Sequence, residues 1–522
     1  MATLAVAAAG ATFDVPALAS PPVLPPGIHL GSSGRYTQDV CDRTLPWYCL
    51  SRRLLPEGFE PLWMPARPPP RPLFGGQFCQ PQGGAGDASS PATGAMTPAD
   101  VVAAYALAAS TGAHGQIVAI IDMPDTTAFA DLSKYRSTFG LPALPQCDNG
   151  LPDGKTPCFA QVDASGNPNA TSLDCPGADP ETGLDEEMVS ASCPDCSILL
   201  VQLSNATNGP SYTDFTQAVQ TAAKLGAVAT SISFGIPEQG GEPTGYTTTG
   251  HLVLAASGDS GYENVLDPQI GGHSPSYPAS APDVLGIGGT NLVGLGGSSY
   301  GEKVWNDGQG GATGSGCSTE FPMPGFQTTF LSSHADAFGM CTNRDSVDLS
   351  AAAEFTPAGA PHPEGIAEYD SQGQWSQVVG TSAASPMVAG IFTRLGVAVA
   401  ISNDLGFPYE HTAAFNDVTI GNNLVGNTCS DDSCTAGPGW DGPTGVGSPN
   451  GAMLAPLGTS SSGGGSGGGS GSSSGGGSAG NDTTAKAGCG CVLTGSASTG
   501  GGAVALLAMA AALGALARRR RP

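Results

Sequence analysis

Glu181 and Asp185 are two carboxylates one helical turn apart, a spacing suited to proton transfer. The segment Asp179-Pro180-Glu181-Thr182-Gly183-Leu184-Asp185-Glu186-Glu187-Met188 opens as a helix, with Asp179 as N-cap and Pro180 at the first helical position. At about 100° per residue, positions 181, 184, 185, 188 and 191 share one face. Leu184, Met188 and Ala191 then carry both acids toward the interior, while Glu186 and Glu187 point away. Two inward-facing acids lose solvation and repel each other, which favours a shared proton. The plainer reading is an acidic first turn that complements the helix dipole.

A nucleophile is offered by Gly380-Thr381-Ser382-Ala383-Ala384-Ser385-Pro386, followed by the apolar run Met387 to Phe392. Small residues put the Ser382 hydroxyl at a tight turn entering a buried helix, where the dipole and free N–H groups favour developing negative charge. The string resembles the nucleophile motif shared by subtilisins and sedolisins, the serine-carboxyl peptidases. A subtilisin needs a histidine base in a His-Gly-Thr-His segment, and none of His29, His114, His251, His273, His334, His362 and His411 lies in one. Sedolisins use a Glu-x-x-x-Asp helix instead, which Glu181 and Asp185 match. The resemblance implies Glu181 as general base and Asp185 as its partner.

An apolar run, Leu252 to Ala256, ends in Ser257-Gly258-Asp259-Ser260-Gly261. A protonated Asp259 there could donate to an oxyanion, and the string is similar to the sedolisin oxyanion aspartate. Gly-Asp-Ser-Gly also occurs at the nucleophile of trypsin-like proteases, which would make Ser260 catalytic, but that reading requires an all-β fold and a glycine where Tyr262 stands. Asp417-Val418 and Ala436-Gly437-Pro438-Gly439-Trp440-Asp441 offer oxygen ligands that suit calcium; a capped Gly/Pro loop is the alternative. Against the sedolisin pattern, Asp417, Asp441 and the carbonyls of Val418, Gly437 and Gly439 correspond to the five protein ligands of one Ca2+.

The elements that must position these groups follow from apolar runs at Gln116 to Ile121, Ile198 to Leu203, Ala227 to Ile232, Leu252 to Ala256 and Val284 to Ile287. With helical stretches between them, such as Tyr212 to Leu225, they predict an α/β fold: a subtilisin-like parallel sheet flanked by helices on both faces. Strand ends and helix starts then carry the chemistry. Met96-Thr97-Pro98-Ala99-Asp100, Ala130-Asp131-Leu132 through Phe139-Gly140-Leu141-Pro142, and Val304-Trp305-Asn306 extend the resemblance to about two-thirds of the chain. Two features depart from it. Phe234 stands where sedolisins carry tryptophan, in Ser231-Ile232-Ser233-Phe234-Gly235, and Asp122 holds the place of an acid that extends the proton network in some relatives but could equally end its strand.

The expected organisation is a Pro-rich N-terminal or pro segment over 1–95, a peptidase domain over 96–457, a Gly/Ser-rich linker over 458–487 and a C-terminal segment over 488–522. The first segment is shorter than the family's folded prodomain. Met1 to Phe13 is apolar but lacks the basic n-region of an export signal. At the other end, Gly488-Cys489-Gly490-Cys491, the apolar run Ala503 to Ala517 and four arginines read as a short membrane span. That tail resembles the MYXO-CTERM sorting tag, which implies processing and surface anchoring through Cys489 or Cys491.

A net charge of −26 with only 18 basic residues argues against nucleic acid as a partner. Charged residues make up only 12% of the chain, which suits acid. Among 14 cysteines, the local pairs Cys147 and Cys158, Cys193 and Cys196, and Cys429 and Cys434 suggest disulfides and an oxidising compartment, although Cys193-Pro194-Asp195-Cys196 also has redox or zinc spacing. The expected protein is therefore a monomeric, extracytoplasmic serine-carboxyl endopeptidase, anchored at the surface or released, that cleaves proteins or peptides in acid through Ser382. The alternative is a catalytically inactive peptidase fold used as a surface binding protein.

Overall fold

The run Ile117-Val118-Ala119-Ile120-Ile121 shows no polar alternation, as expected of a strand covered on both faces. In the computed structural model it forms the strand Ile117–Asp122, buried along its whole length. The described residues are 24, 27–30, 35–41, 48–55, 90–107, 113–168, 180–203, 211–265, 274–308, 311–335, 337–339, 341–370, 373–426, 428–429 and 431–461. From one edge, the main sheet runs Ser299–Val304, Leu285–Gly296, Leu252–Ala256, Ala227–Ile232, Ile117–Asp122, Ser197–Gln202 and Phe159–Asp163. An eighth strand, Leu349–Thr356, also pairs with Leu285–Gly296.

The sheet is mixed rather than wholly parallel. Ser299–Val304 lies antiparallel to Leu285–Gly296, whereas the other pairings are parallel. Gly296 and Gly297, with φ of 100° and 64°, turn this edge back on itself in a hairpin.

Alternate side chains of each strand serve different layers. Val118, Ile120, Ile198, Leu200 and Leu254 pack with Leu184, Met188, Met387 and Ile391 of the helices Pro180–Ser192 and Thr381–Arg394. Ile117, Ala119, Ile121, Leu199 and Val253 pack with Phe215, Ala218 and Val219 of the helix Tyr212–Lys224 on the opposite face. That helix starts in a capping box: the Ser211 hydroxyl accepts from the Asp214 N–H, and the Asp214 carboxylate accepts from the Ser211 N–H.

The described part of the N-terminal stretch is built onto this body. Ile28–Leu30, Tyr36–Asp39 and Arg52–Leu54 extend a sheet with Gln374–Val379 and Ile366–Asp370, while Tyr48–Cys49 pairs antiparallel with Phe234–Pro237. The three expected local cysteine pairs are disulfides, Cys193 and Cys196 included, and Cys41–Cys49 and Cys317–Cys341 join them. The last described helix, Gly451–Ser461, runs four residues past the expected domain end at 457. The Asp179 cap, the rest of the Gly/Ser linker and the whole C-terminal segment lie outside the described residues. Among the described residues, no helix is long and apolar enough to cross a membrane.

Candidate active site

Ser382 occupies the first turn of the buried helix Thr381–Arg394, and two residues around it shape that turn. Gly380, the N-cap, adopts φ of 149°, and a Cβ there would lie 2.4 Å from the Leu50 carbonyl oxygen and 3.0 Å from Asp259 Oδ2. Only glycine meets both demands. Pro386 has no N–H to give the carbonyl four residues earlier, so the Ser382 carbonyl is left for the Ser233 hydroxyl at 3.3 Å. The Ser233 hydroxyl also reaches Asp185 Oδ1 at 2.8 Å. One side chain thereby joins the acid helix to the nucleophile's backbone.

The Ser382 hydroxyl donates to the Ser233 carbonyl at 3.4 Å and accepts from the Leu50 N–H at 3.1 Å. Its own N–H donates to the Leu50 carbonyl at 3.1 Å. Glu181 Oε2 accepts from the Ser51 hydroxyl. Asp259 closes the other side: its Oδ1 accepts from the Thr381 N–H at 3.0 Å and the Thr381 hydroxyl at 2.9 Å. Glu181, Asp185, Asp259 and Ser382 therefore converge on one buried spot, each 0% exposed. Ser233, Thr381 and Ser51 are parts of the site that the motifs did not single out. The Pro386 spacing was a legible signal for a free Ser382 carbonyl.

The expectation that Glu186 and Glu187 point to solvent is overturned, because both are 0% exposed. The 100° rule assigns faces but presumes that one meets water. Pro180–Ser192 instead packs against Thr381–Arg394, Ala128–Thr138, Pro98–Ala104 and Ile366–Asp370. Glu187 accepts from the Tyr369 N–H at 3.2 Å, while neither Glu186 oxygen has a hydrogen-bond partner among the described residues. Burial pushes both carboxyls well above their usual range, reinforced at Glu186 by Asp125, Asp131 and Asp185 and at Glu187 by Glu368.

The trypsin-like reading of Ser260 needs an all-β fold, which the α/β sheet rules out. Of the histidines, His251 is buried against Thr230 at 2.7 Å, and burial lowers its pKa to about 4. Asp122 Oδ1 accepts from the neighbouring Met123 N–H at 2.6 Å. Phe234 faces Phe215 at 6.4 Å, an apolar contact where an indole would have offered an N–H.

Asp417 and Asp441 bracket one loop. Asp417 Oδ2 accepts from the Gly439 N–H at 3.0 Å, and Asp441 Oδ2 from the Gly437 N–H at 3.3 Å. Thr444 holds Asp441 Oδ1 through its N–H and hydroxyl. Burial, reinforced by the Asp417 charge, pushes the Asp441 carboxyl up to about 8. Val418 is buried beside this loop. Another group with metal-ligand spacing, Cys429, Asp431 and Cys434, has its two sulfurs joined in a disulfide, so it offers no thiolate.

Comparison with known proteins agrees with this geometry. Residues 164–402 match the subtilase family, peptidase S8. Kumamolisin of Bacillus sp. (strain MN-32) is 32% identical over 385 residues, covering 70% of this chain and 64% of kumamolisin. Pseudomonas sedolisin, a serine-carboxyl proteinase solved with pseudo-iodotyrostatin, superposes with a TM-score of 0.52 at 26% identity, covering 70% of this chain and 98% of that one. The matches support the sedolisin family. Sedolisin of Pseudomonas sp. (strain 101) is also 35% identical over 223 residues, 40% of this chain and 34% of that protein. The chain thus spans just under two-thirds of kumamolisin and about a third of full-length sedolisin. These similarities support a subtilisin-like fold and a likeness to sedolisin-type serine peptidases.

Proposed function

We propose that the chain is a serine-carboxyl endopeptidase that hydrolyses peptide bonds of proteins in acid through an acyl-enzyme on Ser382. The observation that carries this is the convergence of Asp185 and Asp259 on Ser382 through Ser233 and Thr381, with Glu181 brought to it through Ser51, next to Leu50. Ser382 attacks the carbonyl, Glu181 takes its proton, and Asp185, fixed by Ser233, supports Glu181. The Ser382 N–H and a protonated Asp259 receive the oxyanion. Carboxyl groups keep a base form in acid, where a histidine would be protonated. A labelled-peptide assay at acidic pH, with Ser382→Ala as control, tests this: equal activity in the two proteins, or none in either, would refute it.

The residues around Asp441 fit one Ca2+. All five groups are hard oxygen donors, and a cation would remove the cost of a buried Asp441 charge. Asp417, Asp441 and the carbonyls of Val418, Gly437 and Gly439 would hold it, and its role is to rigidify the loop. The five disulfides among the described residues support an oxidising, extracytoplasmic location. The Gly/Ser linker and the Gly-Cys, apolar and arginine order of the tail support surface anchoring by a sorting machinery, before or instead of release. The proposed organisation keeps 1–95 as an N-terminal or pro segment, 96–457 as the peptidase, and 458–487 and 488–522 as linker and anchor. The enzyme would act as a monomer.

A further inference from the structure

We propose that the chain carries its own first substrate: the Leu50–Ser51 peptide bond is seated in the catalytic site, blocks it, and is the bond cut to activate the enzyme. The inference rests on the peptidase reading of Ser382 and goes beyond it by naming a scissile bond and a side-chain preference.

The backbone contacts around Leu50 are those of a bound substrate rather than of a chance crossing. Leu50 donates its N–H to the Ser233 carbonyl at 3.1 Å and to Ser382 Oγ at 3.1 Å, and its carbonyl accepts from the Ser382 N–H at 3.1 Å. Its carbonyl carbon is thereby held between the nucleophile and a helix N-terminal N–H, on the side where Gly380 leaves room and Asp259 lies. The two residues before it add a strand to the body: Tyr48 pairs with Gly235 and Cys49 with Phe234, antiparallel. Strand addition of this kind fixes a peptide without reading its side chains. Two positions after the bond, Arg52 and Val379 pair, so the chain is gripped on both sides.

Side chains supply the preference. Leu50 is 1% exposed and packs with Ala256 and Cys41. A Cβ on Gly235 would come within 3.2 Å of Leu50 Cδ1, so small residues hollow out a pocket of leucine size. On the leaving side, the Ser51 hydroxyl rests on Glu181, which brings the base within one residue of the nitrogen that must be protonated. The step balances. Ser382 Oγ bonds to the Leu50 carbonyl carbon and its proton passes to Glu181; the bond to the Ser51 nitrogen breaks as that proton is returned to it. Water then hydrolyses the Leu50 ester and regenerates Ser382.

The Cys41–Cys49 disulfide lies wholly on the Leu50 side, so nothing covalent retains that fragment after the cut. It also pre-organises the approach to the bond, which lowers the entropy lost on binding and makes the uncut segment a strong block. Cleavage therefore exposes a pocket that should accept leucine in other proteins.

The test uses the full chain in acid, with N-terminal sequencing and mass spectrometry alongside a labelled-peptide assay. The wild type should acquire a new N-terminus at Ser51 as activity appears, and Ser382→Ala should stay uncut. Leu50→Asp should slow that cut at least tenfold. Because this variant could misfold, an oxidised synthetic peptide of residues 39–56 is added to activated wild-type enzyme. It should be cut only after Leu50 and should compete with the labelled substrate while intact. An active enzyme that leaves Leu50–Ser51 intact, in the chain and in the peptide, would overturn this inference and leave the peptidase reading standing. Absence of activity on every peptide would instead remove both.

Discussion

Ser382 owes its setting to neighbours that could each be changed singly. Ser382→Ala or Glu181→Ala should lower peptidase activity by about 10⁴-fold or more, because nucleophile and base act as a unit. Ser260→Ala should retain most activity, and the labelled-peptide assay that compares the three variants would reject the assignment if Ser260 proved the sensitive one. Asp259→Ala should cost about 10²–10³-fold in kcat, the usual effect of deleting one oxyanion donor. If it raised only KM, Asp259 would be a positioning residue for Thr381 and not an oxyanion group. Glu181, Asp185, Asp259 and Ser382 were legible as candidates because each lies in a short string whose chemistry is local. Ser233 and Ser51 were not, since what they touch lies 48 and 130 positions away.

The helix Pro180–Ser192 shows what a helical element costs when it is buried all round. Burial raises Glu186 and Glu187, and elsewhere in the fold it pushes Asp125 to about 6, Asp345 to about 7 and Glu354 to about 8. Carboxyls raised above their unfolded values hold protons in the folded state that the unfolded chain releases. Their stabilising contribution is complete below the unfolded value of about 4 and is lost as pH rises through 6 to 8. Each group costs up to about 1.4 kcal/mol per pH unit within its window. The melting temperature should therefore fall steadily from pH 4 to pH 8, as read by calorimetry at fixed salt. Glu186→Gln should flatten part of that slope while changing little in acid. A melting temperature that rose toward neutrality would contradict the inward burial of these acids. Helical periodicity correctly grouped Glu181, Leu184 and Asp185. It misjudged Glu186 and Glu187 because faces are counted from one element, and their exposure depends on four others.

For the whole molecule, chelation tests the Asp417 and Asp441 site. At a concentration 100 times its dissociation constant, a cation binding only the folded state adds about 2.7 kcal/mol. Chelator should lower the melting temperature by several degrees, and Asp441→Ala should abolish that difference; an unchanged melting temperature in both would leave only a capped loop. A chain ending at Gly465 should fold and stay active, whereas the full chain should fractionate with membranes or the cell surface. Sequence alone determined the strand runs, the Ser382 and Asp259 turns and the Glu181–Asp185 spacing, because apolar continuity, glycine and a helical repeat act over a few residues. Only the tertiary structure decided that Ser299–Val304 turns back antiparallel, that Glu186 and Glu187 are buried, and that Leu50 lies on Ser382. Leu50 and Ser382 are 332 positions apart. No local propensity links such residues; the sheet, by fixing Ser233 and Phe234 beside the nucleophile, makes a groove whose edge another strand can pair with.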